Sequence, residues 1–209
     1  MLSSNGFDLW ADGYDRDVGL ADESSLYPFA GYKAVLGSIF NSVMQKSAPA
    51  VLDIGFGTAV LTARLFECGC CVFGQDFSPR MVEIASGKMR NAKLYCGDFA
   101  EGLCQELLEN RYDFIIATYS LHHLTDEEKL PFIRTLLSLL TEGGAVLIGD
   151  VAFENREALN ACRADHGEEW DDEEYYFIAD ELEKDFPCLE FEKFSHCAGV
   201  LRIPKEAGE

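Results

Sequence analysis

The chain has 209 residues, 48% hydrophobic and 26% charged, which is typical of a soluble globular domain with a substantial core and excludes a disordered chain. Its 17 basic and 37 acidic side chains give a formal net charge of −20, which disfavours tRNA or DNA as a substrate because phosphate backbones would be repelled. No apolar run is long enough to span a bilayer, and the N-terminus lacks the basic start and apolar core of a secretion signal, so we expect a cytoplasmic protein without a membrane partner.

Eight cysteines are spread along the chain without any C-x-x-C pair. They are Cys68, Cys70, Cys71, Cys96, Cys104, Cys162, Cys188 and Cys197. A disulfide framework is typical of small secreted chains, and this chain is neither small nor marked for secretion. The C-x-C-C cluster at 68–71 could bind a soft metal, but no second cluster has matching spacing. We therefore predict reduced thiols and no metal site.

A helix over about residues 29–47 is predicted first, and from about residue 50 apolar runs alternate with helical stretches. The runs that predict buried strands read AVLDI, CVFGQ, AKLYC, YDFIIAT and AVLIGD. The stretches that predict helices read TAVLTARLFECG, SPRMVEIASGKM, FAEGLCQELLEN and TDEEKLPFIRTLLSLLTEGG. The last begins with a capping box, Thr125 and Glu128, and ends at Gly143 and Gly144. This alternation predicts a parallel sheet with helices on both faces.

Beyond residue 150 the sequence predicts an acidic segment, a helix near residues 173–186 and two final strands. Residues 151–209 contain 17 acidic and 6 basic side chains, a net charge of −11. The final strands read LEFEKFS and GVLRIP, and only about three residues separate them. Strands joined so closely must pair as an antiparallel hairpin.

The stretch LDIGFGTA sets two glycines directly after the first predicted strand. Open parallel sheets bind ligands at the carboxyl ends of their strands. Gly55 and Gly57 would let the backbone turn closely around a ligand, and Thr58 can begin the next helix. A dinucleotide-binding turn would have a third glycine where Val60 stands, and no Walker A lysine follows. Asp53 would repel a pyrophosphate, but it would suit a cationic amino-acid head group.

Polar residues also follow the next three predicted strands. Asp76 lies 19 residues after Gly57, in a position to bind both hydroxyls of a ribose. Asp98 could accept a hydrogen bond from an adenine amino group, and Phe99 could pack on the ring. The fourth strand ends in ATYSLHHL, a polar strand end of the kind that carries function. Each of these strand ends could be an ordinary turn or helix cap, but four of them in chain order are difficult to attribute to chance.

Together these motifs resemble those of the class I S-adenosylmethionine-dependent methyltransferases, over about residues 7–203. LDIGFGTA resembles the family's first motif, acid-x-G-x-G-x-G, with Ala59 in place of the third glycine. QDFSPRMVEIA resembles the ribose-binding motif, and GDF resembles the adenine-side motif. YSLHHLTDEEK resembles the segment after strand four, and LLTEGGAVLIGD the turn before strand five, with Glu142 where proline is common. FDLWADGYD resembles an N-terminal element of the family whose tyrosine, here Tyr14, lines the cofactor pocket. The set as a whole resembles the YrrT-like branch of the family.

The resemblance implies an α/β fold with a Rossmann-like, seven-stranded, mostly parallel sheet, helices on both faces and an antiparallel C-terminal hairpin. It implies a single domain with an N-terminal helical cap (1–48), a cofactor-binding core (49–150), and an acidic insertion, helix and hairpin (151–209). The implied cofactor is S-adenosylmethionine, with S-adenosylhomocysteine as product. The expected cofactor-binding residues are Tyr14, Asp53, Gly55, Gly57, Thr58, Asp76, Phe77, Met81, Asp98, Phe99 and Tyr119.

Methyl transfer from a sulfonium mainly requires alignment, and it needs a base only when the acceptor has a proton to lose. His122 and His123 follow strand four and are the candidates for that base. Aromatic residues from the two regions that cover the active site in this architecture are candidates for substrate binding. They are Trp10, Tyr27, Tyr32, Trp170, Tyr175 and Tyr176. Aromatic rings with acids suit a cation, so we expect a small-molecule substrate, with a cationic one favoured, and a monomer or homodimer.

Two alternative functions stay open at the level of sequence. One is an NAD(P)-dependent oxidoreductase on a similar sheet, against which Val60 and the short chain argue. The other is a non-catalytic cofactor-binding module that acts through its acidic tail.

Overall fold

The computed structural model of the protein describes residues 26–205. The helices are α1 (Tyr32–Val43), α2 (Val60–Glu67), α3 (Pro79–Lys88), α4 (Gln105–Leu108), α5 (Asp126–Ser138), α6 (Arg156–His166) and α7 (Ala179–Leu182). The strands are β1 (Ala50–Ile54), β2 (Cys71–Asp76), β3 (Lys93–Cys96), β4 (Tyr112–Thr118), β5 (Leu140–Phe153), β6 (Phe177–Ile178), β7 (Glu190–Lys193) and β8 (Ala198–Pro204). Short 3₁₀ turns occupy Leu121–His123 and Gly167–Glu169. Over this part of the chain, no helix combines the length and the apolar character that crossing a bilayer requires.

The strands form one sheet in the order β3-β2-β1-β4-β5-β8-β7, and β6 pairs with the end of β5. Strands β1 to β5 pair in parallel, whereas β8 runs antiparallel to both β5 and β7. The expected fold, a mostly parallel sheet with an antiparallel C-terminal hairpin, is therefore confirmed. The strand order reverses between β1 and β4, and a sheet of this kind opens a ligand crevice at that point.

Helices cover both faces of the sheet because its strands are apolar on both sides. Successive side chains of a strand point to opposite faces. In β1, Val51 packs in the cluster that contains α1, α2 and α3, whereas Leu52 and Ile54 pack in the cluster that contains α5. The same division holds in β5, where Leu147 faces the first cluster and Ile148 the second.

Helix α1 lies directly against the centre of the sheet because β5 has a glycine beneath it. A Cβ atom on Gly149 would lie 2.4 Å from Val35 and 2.8 Å from Ile39, both on α1. The helix could not approach so closely over a larger residue. This position of the helix brings the half-buried side chains of Tyr32 and Leu36 to the ligand crevice.

Several helices are shorter than the sequence predicts. The stretch over 125–144 is helical only to Ser138, and the chain enters β5 at Leu140, well before the two glycines. Leu139 and Leu140 are both buried in the sheet core, so packing ends the helix earlier than the glycine signal indicates. The stretch over 99–110 forms helix only at Gln105–Leu108.

The segment after β5 differs most from the prediction. Helix α6 was not predicted, although Asn155 caps it by accepting a hydrogen bond from the Ala158 N–H at 2.9 Å. The helix expected near 173–186 is limited to α7, and β6 precedes it. The Tyr175 N–H donates to the His122 carbonyl at 2.8 Å, and the Tyr175 carbonyl accepts from the buried Lys129 ammonium. These main-chain bonds hold the segment extended beside the loop that follows β4.

Candidate functional site

A cleft of about 710 Å³, including the solvent at its mouth, lies at the carboxyl ends of the central strands. Its walls come from α1, the glycine turn after β1, the end of β2 and the loop after β4. Eight residues predicted to bind the cofactor line it: Gly55, Gly57, Thr58, Asp76, Phe77, Met81, Phe99 and Tyr119. The lining residues that the sequence did not assign to the site include Leu36, Thr62 and Thr118. Thus the ends of four strands that are far apart in sequence meet at one cleft.

The turn after β1 depends on residues in the left-handed region. Gly55 has φ 70°, and a Cβ there would lie 2.5 Å from the Ser120 Cβ. The Ser120 hydroxyl in turn donates to the Ile54 carbonyl at 2.7 Å, so the turn and the loop after β4 are bound together. Gly57 has φ 53°, and a Cβ there would meet nothing within 4 Å among the described residues beyond its chain neighbours. Ala59, in the third-glycine position, also adopts a left-handed φ of 61°, a conformation that glycine adopts more easily.

Asp76 is a buried carboxylate on the cleft wall, held by two main-chain groups. Its Oδ2 accepts from the Gly57 N–H at 2.8 Å, and its Oδ1 accepts from the Ser78 N–H at 2.9 Å. These bonds fix the side chain between the glycine turn and the start of α3. A carboxylate oxygen can accept more than one hydrogen bond, so these two main-chain bonds do not by themselves prevent Asp76 from also accepting from ligand hydroxyls.

Asp53 lies behind the glycine turn and is not among the residues that line the cleft. It is buried, and one oxygen accepts a hydrogen bond from the Thr62 hydroxyl, while Oδ1 has no hydrogen-bond partner among the described residues. Burial raises the pKa of Asp53 to about 7, and the nearby negative charge of Asp76 adds to this effect. Thr62 does line the cleft, so Asp53 can influence a ligand through Thr62 or through water.

The loop after β3 brings Phe99 to the cleft but leaves Asp98 outside its lining. Asp98 accepts from the Ala100 N–H at 2.9 Å, as in a local turn. Phe99 is buried and packs on Phe132, with ring centroids 5.9 Å apart. The Gln75 side chain organises this loop, since its amide donates to the Gly102 carbonyl at 2.9 Å.

The loop after β4 begins with a tyrosine in an unusual conformation. Tyr119 has φ 50°, and its N–H donates to the Gly149 carbonyl at 2.8 Å. Its ring packs against Tyr32 and Phe29, with centroid distances of 5.2 and 5.4 Å. Tyr32, predicted as a substrate residue, therefore lies in the cleft beside Tyr119.

The two candidate histidines occupy different environments. His123 lines the cleft, and burial lowers its pKa to about 4, with the neighbouring His122 adding to this effect. His122 is buried, and its Nδ1 lies 2.6 Å from Asp150 Oδ1. Burial opposes charge on His122, but the Asp150 and Glu174 carboxylates outweigh burial and raise its pKa. His123 is thus the histidine that faces a ligand as a neutral imidazole.

Most of the remaining substrate candidates form an aromatic cluster beside His122. Tyr27 and Trp170 stack at 5.6 Å, and Trp170 meets Tyr176 edge-on at 4.9 Å. The hydroxyls of Tyr27 and Tyr176 are hydrogen-bonded to each other. Tyr175 is 41% exposed and lies apart from this cluster. The predicted site residues Trp10 and Tyr14 lie outside the described residues.

Sequence reasoning missed two carboxylates beside His122. Asp150 ends the apolar run AVLIGD, and an acid at the end of a buried strand was the signal that could have identified it. Glu174 lies in the run EEWDDEEYY, where neighbouring acids are indistinguishable by pattern. Its contact with His122 depends on how the segment before β6 folds back.

Comparisons with known proteins agree with this geometry. The protein-family model described as "Methyltransferase domain" matches residues 51–144. A protein of Anoxybacillus flavithermus described as an uncharacterized methyltransferase is 35% identical over 95% of this chain and 90% of its own length. The uncharacterized methyltransferase YrrT of Bacillus subtilis is 32% identical over 88% of this chain and 82% of its own length.

Solved structures show the same fold at lower identity. Magnesium protoporphyrin IX methyltransferase (ChlM) from Synechocystis PCC 6803, solved with bound S-adenosylhomocysteine, superposes with a TM-score of 0.65. It is 19% identical, and 85% of each chain is covered. From the family match, the relatives and the shared fold, the chain belongs to the class I S-adenosylmethionine-dependent methyltransferases, alongside the YrrT-like proteins.

Proposed function

We propose that this methyltransferase acts on a small molecule that enters beside the loop after β4. The observation that carries the proposal is the aromatic cluster beside that loop, where Tyr27, Trp170 and Tyr176 pack together and the Tyr176 ring lies 6.3 Å from that of His122. A polymeric acceptor would need an open groove instead.

Charge supports a neutral or cationic acceptor. The chain has a net charge of −20, and Asp150 and Glu174 add carboxylates next to His122. A polyanionic acceptor would be repelled by this field. The aromatic rings of the neighbouring cluster are compatible with a cation.

For the donor, we propose that the amino-acid end of S-adenosylmethionine lies at the turn of Gly55 and Gly57, with Asp53 acting through Thr62. The ribose hydroxyls would donate to Asp76, whose carboxylate is already oriented by main-chain N–H groups. The side chains proposed beside the adenine are Phe77, Met81 and Phe99. The backbone at Gly57, which leaves open space where a side chain would stand, supports a close approach of the ligand.

When bound, S-adenosylmethionine would supply a methyl group attached to a positively charged sulfur. That sulfur is a good leaving group because it departs as a neutral thioether. The acceptor would form its bond to the methyl carbon while the S–CH₃ bond broke, and sulfur would keep the electron pair of that bond. The protein contributes alignment, which is worth roughly 7–11 kcal/mol when the geometry is near attack. An acceptor that carries a proton must lose it, either to His123 as a base or to water.

We also propose that residues 1–209 act as a single domain in the cytoplasm, as a monomer or homodimer, without nucleic-acid or membrane partners. The single continuous sheet through β3 to β7 supports one domain. The acidic charge supports the absence of a nucleic-acid partner.

Calorimetric titration of S-adenosylhomocysteine into wild type and Asp76→Asn tests the donor site. We expect binding to weaken about 10- to 150-fold, because hydrogen bonds to a charged group contribute about 1.5–3 kcal/mol. Glu101→Gln, an exposed acid in the neighbouring loop, is the matched control and should bind normally. Equal affinities for wild type and Asp76→Asn would refute the ribose assignment.

A screen of small metabolites for methyl transfer from labelled S-adenosylmethionine tests the acceptor class. We expect label to enter a small molecule and not added protein or RNA. Label found only in a macromolecule would overturn the proposal. Stabilisation by NAD but not by S-adenosylhomocysteine would instead favour the oxidoreductase, and methyl transfer to any acceptor would eliminate the non-catalytic module.

A further inference from the structure

Three potential metal ligands meet at the acceptor side of the cleft. His122 and His123 follow β4, and Glu174 comes from the segment before β6; we call these residues the His–His–Glu cluster. One possible ligand atom from each lies within 4.8 Å of the others. His123 also lines the cleft, so the cluster is adjacent to the place proposed for methyl transfer.

The distance between two members of the cluster is informative. His122 Nε2 and Glu174 Oε1 are 3.5 Å apart, longer than the roughly 2.7–2.9 Å of a strong hydrogen bond between charged groups. Ligand bonds of about 2.0–2.1 Å in a tetrahedral arrangement separate two ligand atoms by roughly 3.3–3.4 Å. The observed distance therefore suits two ligands of one ion better than a direct ion pair.

Supporting side chains orient two of the three ligands. His122 Nδ1 lies 2.6 Å from Asp150 Oδ1, and Asp150 is fully buried. This contact turns Nε2 of His122 towards Glu174, as in the carboxylate–histidine–metal arrangement of many metal sites. Glu174 is itself hydrogen-bonded by the Tyr176 side chain. His122 and Glu174 are therefore held in position before any ion binds.

We propose that His122, His123 and Glu174 bind one divalent transition-metal ion beside the methyl-transfer cleft. Two imidazoles and one carboxylate favour an ion such as Zn²⁺ over Mg²⁺ or Ca²⁺, which prefer oxygen ligands. Three protein ligands leave a coordination position open. In line with the proposed function, on which this part rests, that position would be taken by an oxygen of the acceptor.

Coordination would assist transfer to a hydroxyl group. A hydroxyl bound to the ion loses its proton to water more readily, because the ion lowers its pKa. The resulting oxygen forms the bond to the methyl carbon as the S–CH₃ bond breaks, and the electron pair of that bond stays on sulfur. In this assignment both histidines act as ligands, and water takes the proton.

A second set of potential ligands must be distinguished in any measurement. Cys162, His166 and His196 also bring ligand atoms within 4.8 Å of one another. Here His166 Nδ1 lies 2.9 Å from the Cys162 carbonyl, to which it can donate. This set lies at the end of α6 and the β7–β8 turn, away from the cleft lining. Cys162→Ser is therefore the matched control for the His–His–Glu cluster.

The test is calorimetric titration of Zn²⁺ into wild type, Glu174→Gln, His123→Gln and Cys162→Ser, with the bound metal counted by mass spectrometry. We expect one ion in wild type and in Cys162→Ser. Affinity should fall at least about 10-fold in Glu174→Gln and His123→Gln, the loss that removing even a supporting partner causes. Circular dichroism melting checks that each variant is folded.

Three results would overturn the proposal: no Zn²⁺ binding by wild type, equal binding by Glu174→Gln, or loss of the ion only in Cys162→Ser. Titration of S-adenosylhomocysteine into the same proteins separates this proposal from the proposed function. Zn²⁺ binding without S-adenosylhomocysteine binding would leave the metal site intact and refute the methyl-donor site. Normal S-adenosylhomocysteine binding without Zn²⁺ binding would leave the methyl-donor site intact and refute the metal site.

Discussion

Gly55 and Gly57 both have left-handed backbones, but a side chain would meet different surroundings at each. At Gly55 a Cβ would clash with Ser120, whereas at Gly57 it would project into open space. We predict that Gly55→Ala lowers Tm by roughly 5–15 °C, from backbone strain and overpacking together. Gly57→Ala should lower Tm by only about 2–4 °C yet weaken S-adenosylhomocysteine binding.

Thermal unfolding and calorimetry of the two glycine variants check this pair of effects. We expect Gly55→Ala to lower mainly the Tm and Gly57→Ala to lower mainly the affinity for S-adenosylhomocysteine. Unchanged affinity in Gly57→Ala would contradict the proposal that the ligand approaches this turn.

Asp53 should make the stability of the ligand-free protein depend on pH. Its pKa rises from 3.8 to about 7 on folding, so between these values the folded state binds a proton that the unfolded state has lost. Rising pH therefore lowers the free energy of unfolding, by at most about 4 kcal/mol above pH 7. Asp53→Asn should remove this contribution.

Urea unfolding of wild type and Asp53→Asn at about pH 5 and pH 8 measures the Asp53 effect, because other titrating groups cancel in the comparison. The variant should gain stability relative to wild type as the pH rises. The same difference at both pH values would contradict the raised pKa.

The cleft lining at the strand ends was more predictable than the group of residues around His122, and the residues explain why. Asp76 and Phe99 were predicted to line the cleft because Asp76 ends β2 and Phe99 lies just beyond the end of β3, and parallel strands bring such positions together. Glu174 could not be identified, because its contact with His122 joins positions far apart in sequence. Asp53 was predicted to bind the ligand, but the structure places it behind the turn and outside the cleft lining, and sequence spacing could not predict that burial.

At the scale of single elements, the start of α5 is a local interaction that can be tested alone. Glu128 N–H donates to the Thr125 hydroxyl, and Glu128 Oε2 accepts from the Thr125 N–H at 2.9 Å. We predict that Thr125→Ala destabilises the protein by about 0.5–2 kcal/mol, because the first turn loses its cap. Urea unfolding measures this loss.

Two further variants control the capping experiment. Thr125→Ser keeps the hydroxyl and should retain nearly full stability. Thr135→Ala removes an exposed hydroxyl within the same helix and should have little effect. Equal destabilisation by Thr125→Ala and Thr135→Ala would show that the cap has no special role.

Elements with strong local signals were predicted well. The run YDFIIAT coincides with β4, because a buried strand needs continuous apolar residues whatever surrounds it. The end of α5 was misplaced because burial of Leu139 and Leu140 in the sheet outweighed the glycine signal at Gly143. Helix α6 was missed because its polar sequence was grouped with the acidic segment that follows.

For the whole molecule, the net charge of −20 gives a prediction about partners. We predict that the protein does not retain tRNA in a filter-binding assay even at about 50 mM salt, where electrostatic attraction would be strongest. Tight, salt-sensitive retention would contradict the charge argument. A basic RNA-binding domain measured in parallel confirms that the assay detects binding.

The sheet architecture could be predicted from the alternation of strands and helices, whereas the fold of the acidic segment beside the site could not. Repeated strand–helix units restrict the sheet to a few topologies, and the closely spaced final strands required a hairpin. The fold of the acidic segment depends on bonds between distant parts of the chain, such as Lys129 to the Tyr175 carbonyl.

The main-chain bonds of Tyr175 separate the anchoring of this segment from the identity of its side chains. The bonds are made by the N–H and the carbonyl of Tyr175. They therefore do not depend on the side chains of the residues on either side. Glu174 and Tyr176 could thus be exchanged in related enzymes without disturbing Asp76 or the glycine turn. A scaffold built in this way can evolve towards new methyl acceptors through a short stretch of chain while its use of the methyl donor stays the same.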